Sequence, residues 1–120
     1  MANTMPTADD VQSLHAFIMD RANEDWAAAQ EHRAATAEES AAEDEALARF
    51  NRISNSHKLA ITCTAAYVLD LLNNEGDDEQ TELAWDHMTQ AGEQWKDHPG
   101  FLPAWQNAKM AQIRQMIAGG

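Results

Sequence analysis

Large apolar residues fall into four groups along this chain, at 11–26, 47–72, 83–95 and 101–117. The first has helical spacing. Val11, Leu14, Ile18, Ala22 and Trp26 step by three and four, with Phe17 beside them, which predicts an amphipathic helix with one buried stripe. Thr7 can cap it. Asp9 and Asp10 lie in its first turn, where the helix dipole favours negative charge. From Trp26 to Leu47 no large apolar residue occurs. The stretch between is rich in alanine and glutamate, so it predicts a long polar helical segment. It is either one solvated helix or two helices with a break near Thr36–Ser40. Ser40 and Glu43 form a capping box, which places a helix start at Ser40.

Leu47, Phe50 and Ile53 give that helix its apolar face. Asn51, Asn55 and Ser56 then favour a break. Leu59, Ile61, Ala65, Ala66, Val68, Leu69, Leu71 and Leu72 follow, apolar on most sides, and predict a central helix. It stops at Asn73-Asn74-Glu75-Gly76, where Gly76 can take the left-handed conformation. Asp77 or Asp78 caps the next helix, whose stripe is Ala84, Met88, Ala91 and Trp95. Trp85 lies off that stripe, either exposed or widening it. "DHPG" at 97–100 ends the helix. Pro103 suits the first turn of a last helix, with Leu102 a poor cap. Met110, Ile113, Met116 and Ile117 form its apolar edge.

Neither proline nor glycine occurs between Thr7 and Glu75, and no stretch alternates at period two. The prediction is all-α: one small bundle of four or five helices over 1–120, with flexible ends at 1–6 and 118–120.

Charge narrows the function. Twenty Asp+Glu against eight Lys+Arg give a net charge of −12. Such a chain repels a phosphate backbone and anionic membrane, so direct nucleic-acid and membrane binding are not expected. A protein partner that is basic, or itself binds nucleic acid, fits the charge. The single cysteine, Cys63, excludes an internal disulfide and points to a reducing cytoplasm. The N-terminal residues lack the basic and apolar regions of a signal peptide, and the longest apolar run is too polar to span a bilayer.

Catalytic and metal chemistry find little purchase. The positions three before His15, His32, His57, His87 and His98 are Gln12, Ala29, Ser54, Ala84 and Trp95, none of them a carboxylate. A di-iron bundle needs that pairing. No His-Glu-x-x-His, cysteine pair or glycine-rich phosphate loop occurs. Cys63 lies in the most apolar helix, which predicts a small core residue with an inert thiol. His57 would fall on nearly the opposite side of a continuous helix. Neither cofactor, metal nor enzymatic activity is expected.

The remaining candidates are carboxylates and aromatics. Glu38, Glu39, Glu43, Asp44 and Glu45 form one acidic cluster, and Asp77, Asp78 and Glu79 begin another that continues to Glu82 and Asp86. With Trp85, these are the candidate partner-binding residues. They either mimic phosphates on a nucleic-acid-binding target or form a solvated face that keeps the protein soluble. In "WKDHPGFLPAW", residues 95–105, Trp95, Phe101 and Trp105 flank the turn. They can pack into a cluster that sets the angle between two helices, with His98 bonding locally.

"LHAFIMDRANED", residues 14–25, and "WKDHPGFLPAW" together resemble the two ends of a family of small proteins from actinobacteria and their phages. The resemblance implies that origin and supplies no activity. It marks Leu14, Phe17, Arg21, Trp95, Asp97, His98, Pro99, Phe101 and Trp105 as positions that matter for fold or function. Arg21 and Asp97 have opposite charges, so an ion pair between the two motifs is expected. The function expected is a non-catalytic acidic protein-binding module that modulates or inhibits a host protein. The alternative is a structural or assembly protein of a phage particle that forms a homo-oligomer through the last helix.

Overall fold

The computed structural model describes residues 5–35 and 40–119. They form four α-helices: α1 (Ala8–Ala35), α2 (Ala41–Asn73), α3 (Asp78–Gly92) and α4 (Ala108–Gly119). Two short 3-10 turns, Glu93–Trp95 and Pro103–Trp105, lie between α3 and α4. No strand occurs among the described residues. The protein is all-α.

The helix starts follow local chemistry. At α1, the Asp10 amide donates to Thr7 Oγ1 at 3.1 Å and the Thr7 amide donates to the Asp10 carboxylate at 3.0 Å. This is a reciprocal capping box with Asp in place of Glu. Pro6 and Val11 occupy the staple positions around that cap, and both are buried. Residues 1–4 lie outside the described residues. The flexible end expected over 1–6 therefore does not extend to Pro6, because the staple position buries it. At the other end, Ala118 and Gly119 continue α4, since nothing before them breaks the helix. Ser40 caps α2, accepting from the Glu43 amide at 3.2 Å. Asp77 caps α3, accepting from the amides of Glu79 and Gln80.

The break expected at Asn51–Ser56 is absent: α2 is one helix of 33 residues. Asn and Ser each cost only a few tenths of a kcal/mol in a helix. Asn55 also donates to Asn51 one turn back, at 3.4 Å, so its amide is used within the helix.

The α2–α3 corner departs from expectation in a second way. Glu75, at φ 50°, is the left-handed residue; no glycine there has positive φ. The Gly76 amide donates to the Leu71 carbonyl at 2.8 Å, closing a Schellman turn. A Cβ at Gly76 would come within 2.6 Å of Leu71 Cδ2, so any larger residue there obliges the Leu71 side chain to shift. Left-handed geometry costs a residue with a Cβ roughly 1–2 kcal/mol. Glycine would forfeit about 0.5–1 kcal/mol of chain entropy in exchange. Glu75→Gly is therefore expected to raise stability by about 0.5 kcal/mol, read as a higher urea midpoint. A lower midpoint would show that the Glu75 strain is compensated elsewhere.

Helices α1, α2 and α3 pack on one another. Their core is Val11, Leu14, Phe17, Ile18, Ile61, Ala65, Val68, Ala84, Trp85 and Met88, with Trp105 from the second 3-10 turn. Leu14 meets Gly92 closely: a Cβ there would lie 3.1 Å from Leu14 Cδ1, so glycine lets α1 approach the end of α3. Helix α2 is not central. Leu59 and Tyr67 are exposed, as are Ala66 and Cys63, because two neighbouring helices cover only one arc of it. The expected core cysteine is thus a surface residue.

Helix α3 is less than half the length of α2. Between Ala22 and Ile61 no described residue is fully buried. The outer halves of α1 and α2 project as an antiparallel pair, and the molecule measures 54 × 40 × 22 Å. Its radius of gyration is 17.3 Å; a compact chain of this length has about 14 Å.

Candidate functional site

Three arrangements bring together side chains distant in sequence. The first is the corner. Phe17 is its hub, with ring centroids 5.0 Å from Trp105, 5.4 Å from His98, 6.0 Å from Phe101 and 6.5 Å from Trp95. The Arg21 guanidinium lies over the same ring, 5.1 Å from its centroid. Arg21 Nη1 donates to His98 Nε2 at 2.9 Å, and the Gly100 amide donates to His98 Nδ1 at 2.9 Å. A neutral imidazole has one acceptor nitrogen, so only one of these contacts is a full hydrogen bond at a time.

The two sequence motifs therefore meet, but not through the expected ion pair. Arg21 pairs with Glu24 at 2.7 Å, one turn along α1. Asp97 is 91% exposed and lies 3.3 Å from Lys96. The His98 ring occupies the position in front of Arg21, and the turn carries Asp97 out to solvent. Leu14, Phe17 and Trp105 are buried, Trp95 and Phe101 half-buried, and Pro99 exposed. Pro103 does not start the last helix. It starts the second 3-10 turn, with no side-chain cap at Leu102, and Asn107 caps α4 instead.

The second arrangement was not visible in the sequence. Asn107 is fully buried. Its Nδ2 donates to Asp86 Oδ1 and to Thr89 Oγ1, both at 2.8 Å. Its amide donates to Glu93 Oε1 at 3.0 Å, and its Oδ1 accepts from the Met110 amide at 2.9 Å. Arg114 donates to Glu93 Oε2 at 2.7 Å, and Lys109 lies 3.5 Å from Asp86. Burying Asp86 and Glu93 is tolerable because each carboxylate meets several donors. These contacts tie the start of α4 to the polar face of α3. Asp86 thus belongs to this network and not to a solvated acidic face.

The third is a groove. Where α3 ends, the slot between α1 and α2 stays open. Its inner part is lined by Ala22, Asp25, Ile53, His57 and Trp95. Its outer part is lined by Ala29, His32, Arg33, Ala46 and Leu47, and Phe50 belongs to both. The inner part encloses about 270 Å³ and the outer about 260 Å³. Trp26 stacks on Phe50 across the seam, 6.0 Å apart and 10° from parallel. His57 Nε2 is buried in this wall with no hydrogen-bond partner among the described residues.

The candidate partner-binding acids do not gather into one surface. Glu38 and Glu39 lie outside the described residues. Arg33 holds Asp44 at 2.7 Å and Glu43 at 3.5 Å. Glu45 lies 3.4 Å from Arg52 and 3.9 Å from Arg49. Asp77, Asp78 and Glu79 form the start of α3, at the opposite end of α2, roughly 45 Å away at the helical rise. Trp85 is no docking residue: it is 4% exposed, because α3 packs with a wider apolar arc than its four-residue stripe indicated.

No known protein family matches this chain, and no curated protein or solved structure is similar to it. Its own geometry must therefore carry the functional reading. Among the described residues, no three His, Cys, Asp or Glu side chains are grouped to hold a metal ion. None of the described helices is long and apolar enough to cross a membrane. A polar hollow beside the corner, with Lys96, Asp97, Glu93 and Arg114 in its wall, has its charges paired within the wall.

Proposed function

We propose that this chain is a non-catalytic protein-binding module that receives an amphipathic helix in the α1–α2 groove. One observation carries the reading: the three-helix core continues past the end of α3 as an open apolar channel. Ala22, Ala29, Ala46, Phe50 and Ile53 line it where a third helix would otherwise lie. Short alanines on both walls leave room for a helix, and apolar groove walls are how helical peptides are recognised. Glu43 in the wall is paired with Arg33, which leaves Asp25 at the inner end to favour a basic residue on the partner helix. In the setting implied by the motif resemblance, the partner is a host protein that the module modulates. The division of the acids into two distant patches, one paired with arginines, weighs the proposal toward groove binding over phosphate mimicry.

A photo-crosslinking residue placed at Ile53 in the full chain tests this. It is expected to join a helical segment of the partner in actinobacterial lysate. The same residue at Leu83, exposed on α3 away from the groove, is expected to give little product. Equal products at both positions would sink the reading.

The assembly role remains the second reading, because Ile113, Met116 and Ile117 are exposed on α4. An apolar edge of that kind on a small protein marks a contact surface.

A further inference from the structure

We infer that the occupant of the groove is α4 of a second copy of this chain. The inference rests on the helix-in-groove reading above and names its partner. Among the described residues, the groove is an unfilled helix slot and α4 is a helix whose apolar edge is unburied. Ile113 is 47% exposed, Met116 69% and Ile117 76%.

The two surfaces match in length. The groove runs along α1 from Ala22 to Arg33, about 17 Å at the helical rise. Helix α4 has 12 residues, so it is about 18 Å long. They match in charge as well. Residues 98–120 contain neither aspartate nor glutamate, in a chain of net charge −12. No carboxylate on α4 repels Asp25 and Glu43 in the groove wall.

The contact forms between copies because α4 is tied down within its own. Asn107, Lys109 and Arg114 bind it to Asp86, Thr89 and Glu93, on the flank of α3. Reaching its own groove would break that buried network. Offering its outer edge to a neighbour breaks nothing. Edge and groove are different surfaces, but a reciprocal exchange across a two-fold axis, each copy's edge in the other's groove, makes the interface as a whole isologous and closed.

Mixing complementary variants tests this in the full chain. Ile53→Lys spoils the groove and leaves α4 intact. The double variant Ile113→Glu with Ile117→Glu spoils the edge and leaves the groove intact. All three positions are solvent-exposed, so both variants are expected to keep wild-type helicity by circular dichroism. Light scattering should give the wild type at twice the 13.3 kDa chain mass or above, and each variant alone as a monomer. An equimolar mixture should recover the assembly, because one native groove then meets one native edge. A contact between two α4 edges would show no recovery, and neither would simple loss of folding.

A wild type that stays monomeric at high concentration, or a mixture that stays monomeric, overturns the inference. If Ile53 still crosslinks to a helix of another protein in that case, the helix-in-groove reading stands and only the partner named here is wrong. If Ile53 crosslinks to nothing, both fall. Should either charged variant lose helicity, Ile53→Gln and Ile117→Gln replace them, with the same outcomes required.

Discussion

Phe17→Ala is expected to lower stability by about 4 kcal/mol. Phe17 is 7% exposed and touches the rings of Trp95, His98, Phe101 and Trp105. Truncating a buried phenylalanine typically costs about 3–5 kcal/mol, from lost transfer free energy and the cavity left behind. Each edge-to-face ring pair adds about 0.5–1.5 kcal/mol beyond its buried area. The cavity cannot close easily here, because the 97–102 turn is short and the surrounding rings are rigid. Small domains have about 5–15 kcal/mol in total, so the variant would stand near its folding limit. The measurement is urea unfolding, followed both by helical signal and by near-ultraviolet dichroism of the tryptophans. Phe50→Ala is the control: Phe50 also stacks on a tryptophan, but it is 39% exposed. It is expected to cost less than half as much. A loss below about 2 kcal/mol at Phe17 would show that the corner is held by something other than this ring.

That prediction joins two parts of the sequence that could be identified separately but not connected. The apolar stripe of α1 and the aromatic group at 95–105 follow from spacing and composition. So do the helix starts at Thr7, Ser40 and Asp77, since a cap is a local device that acts within three residues. What a linear reading cannot supply is which residues meet across the bundle. Opposite charge nominated Asp97 for Arg21, yet the turn geometry delivers His98. Charge is a weak guide there, because the gain from an exposed ion pair is small beside the cost of bending a turn to make it.

The larger errors share a cause. Apolar residues on most sides predict a central α2 and a buried Cys63, yet Cys63, Leu59 and Tyr67 are exposed. Burial depends on how many neighbours a helix has, and composition does not count them. The converse holds for Trp85, which widens the α3 stripe as one of its two alternatives allowed, and for Asp86, which is buried. Adjacent on α3, they face different surroundings: Trp85 meets the core, and Asp86 meets Asn107. The polar series Asp86, Thr89 and Glu93 steps by three and four like any solvated face. Only the chain segment that returns after the corner reveals that this face is covered. The groove is equally hidden, for it exists because α3 is short relative to α2, and its outer end falls in the alanine- and glutamate-rich tract. A low-complexity tract of alanine and glutamate gives the same pattern whether its inner face is open or filled.

The polar face of α3 also leads to the second large effect. Asn107→Ala is expected to cost about 3 kcal/mol and to free α4 from α3. The substitution removes donors to Asp86 Oδ1, the Asp86 carbonyl and Thr89 Oγ1, together with the cap on the Met110 amide. A lost helix cap alone costs about 1 kcal/mol. A buried carboxylate deprived of a donor accounts for about 2 kcal/mol more, since Asp86 keeps Gln90 and Lys109 on its other oxygen. Two readouts separate these contributions. Thermal unfolding gives the total, and amide hydrogen exchange across 108–119 reports whether α4 has come loose while the three-helix core persists. Asn107→Asp distinguishes cap from network. It preserves an oxygen for the Met110 amide but sets a third carboxylate against Asp86 and Glu93. It is therefore expected to destabilise more than alanine does. If aspartate proves milder than alanine, capping is what holds α4, and the buried network is incidental to it.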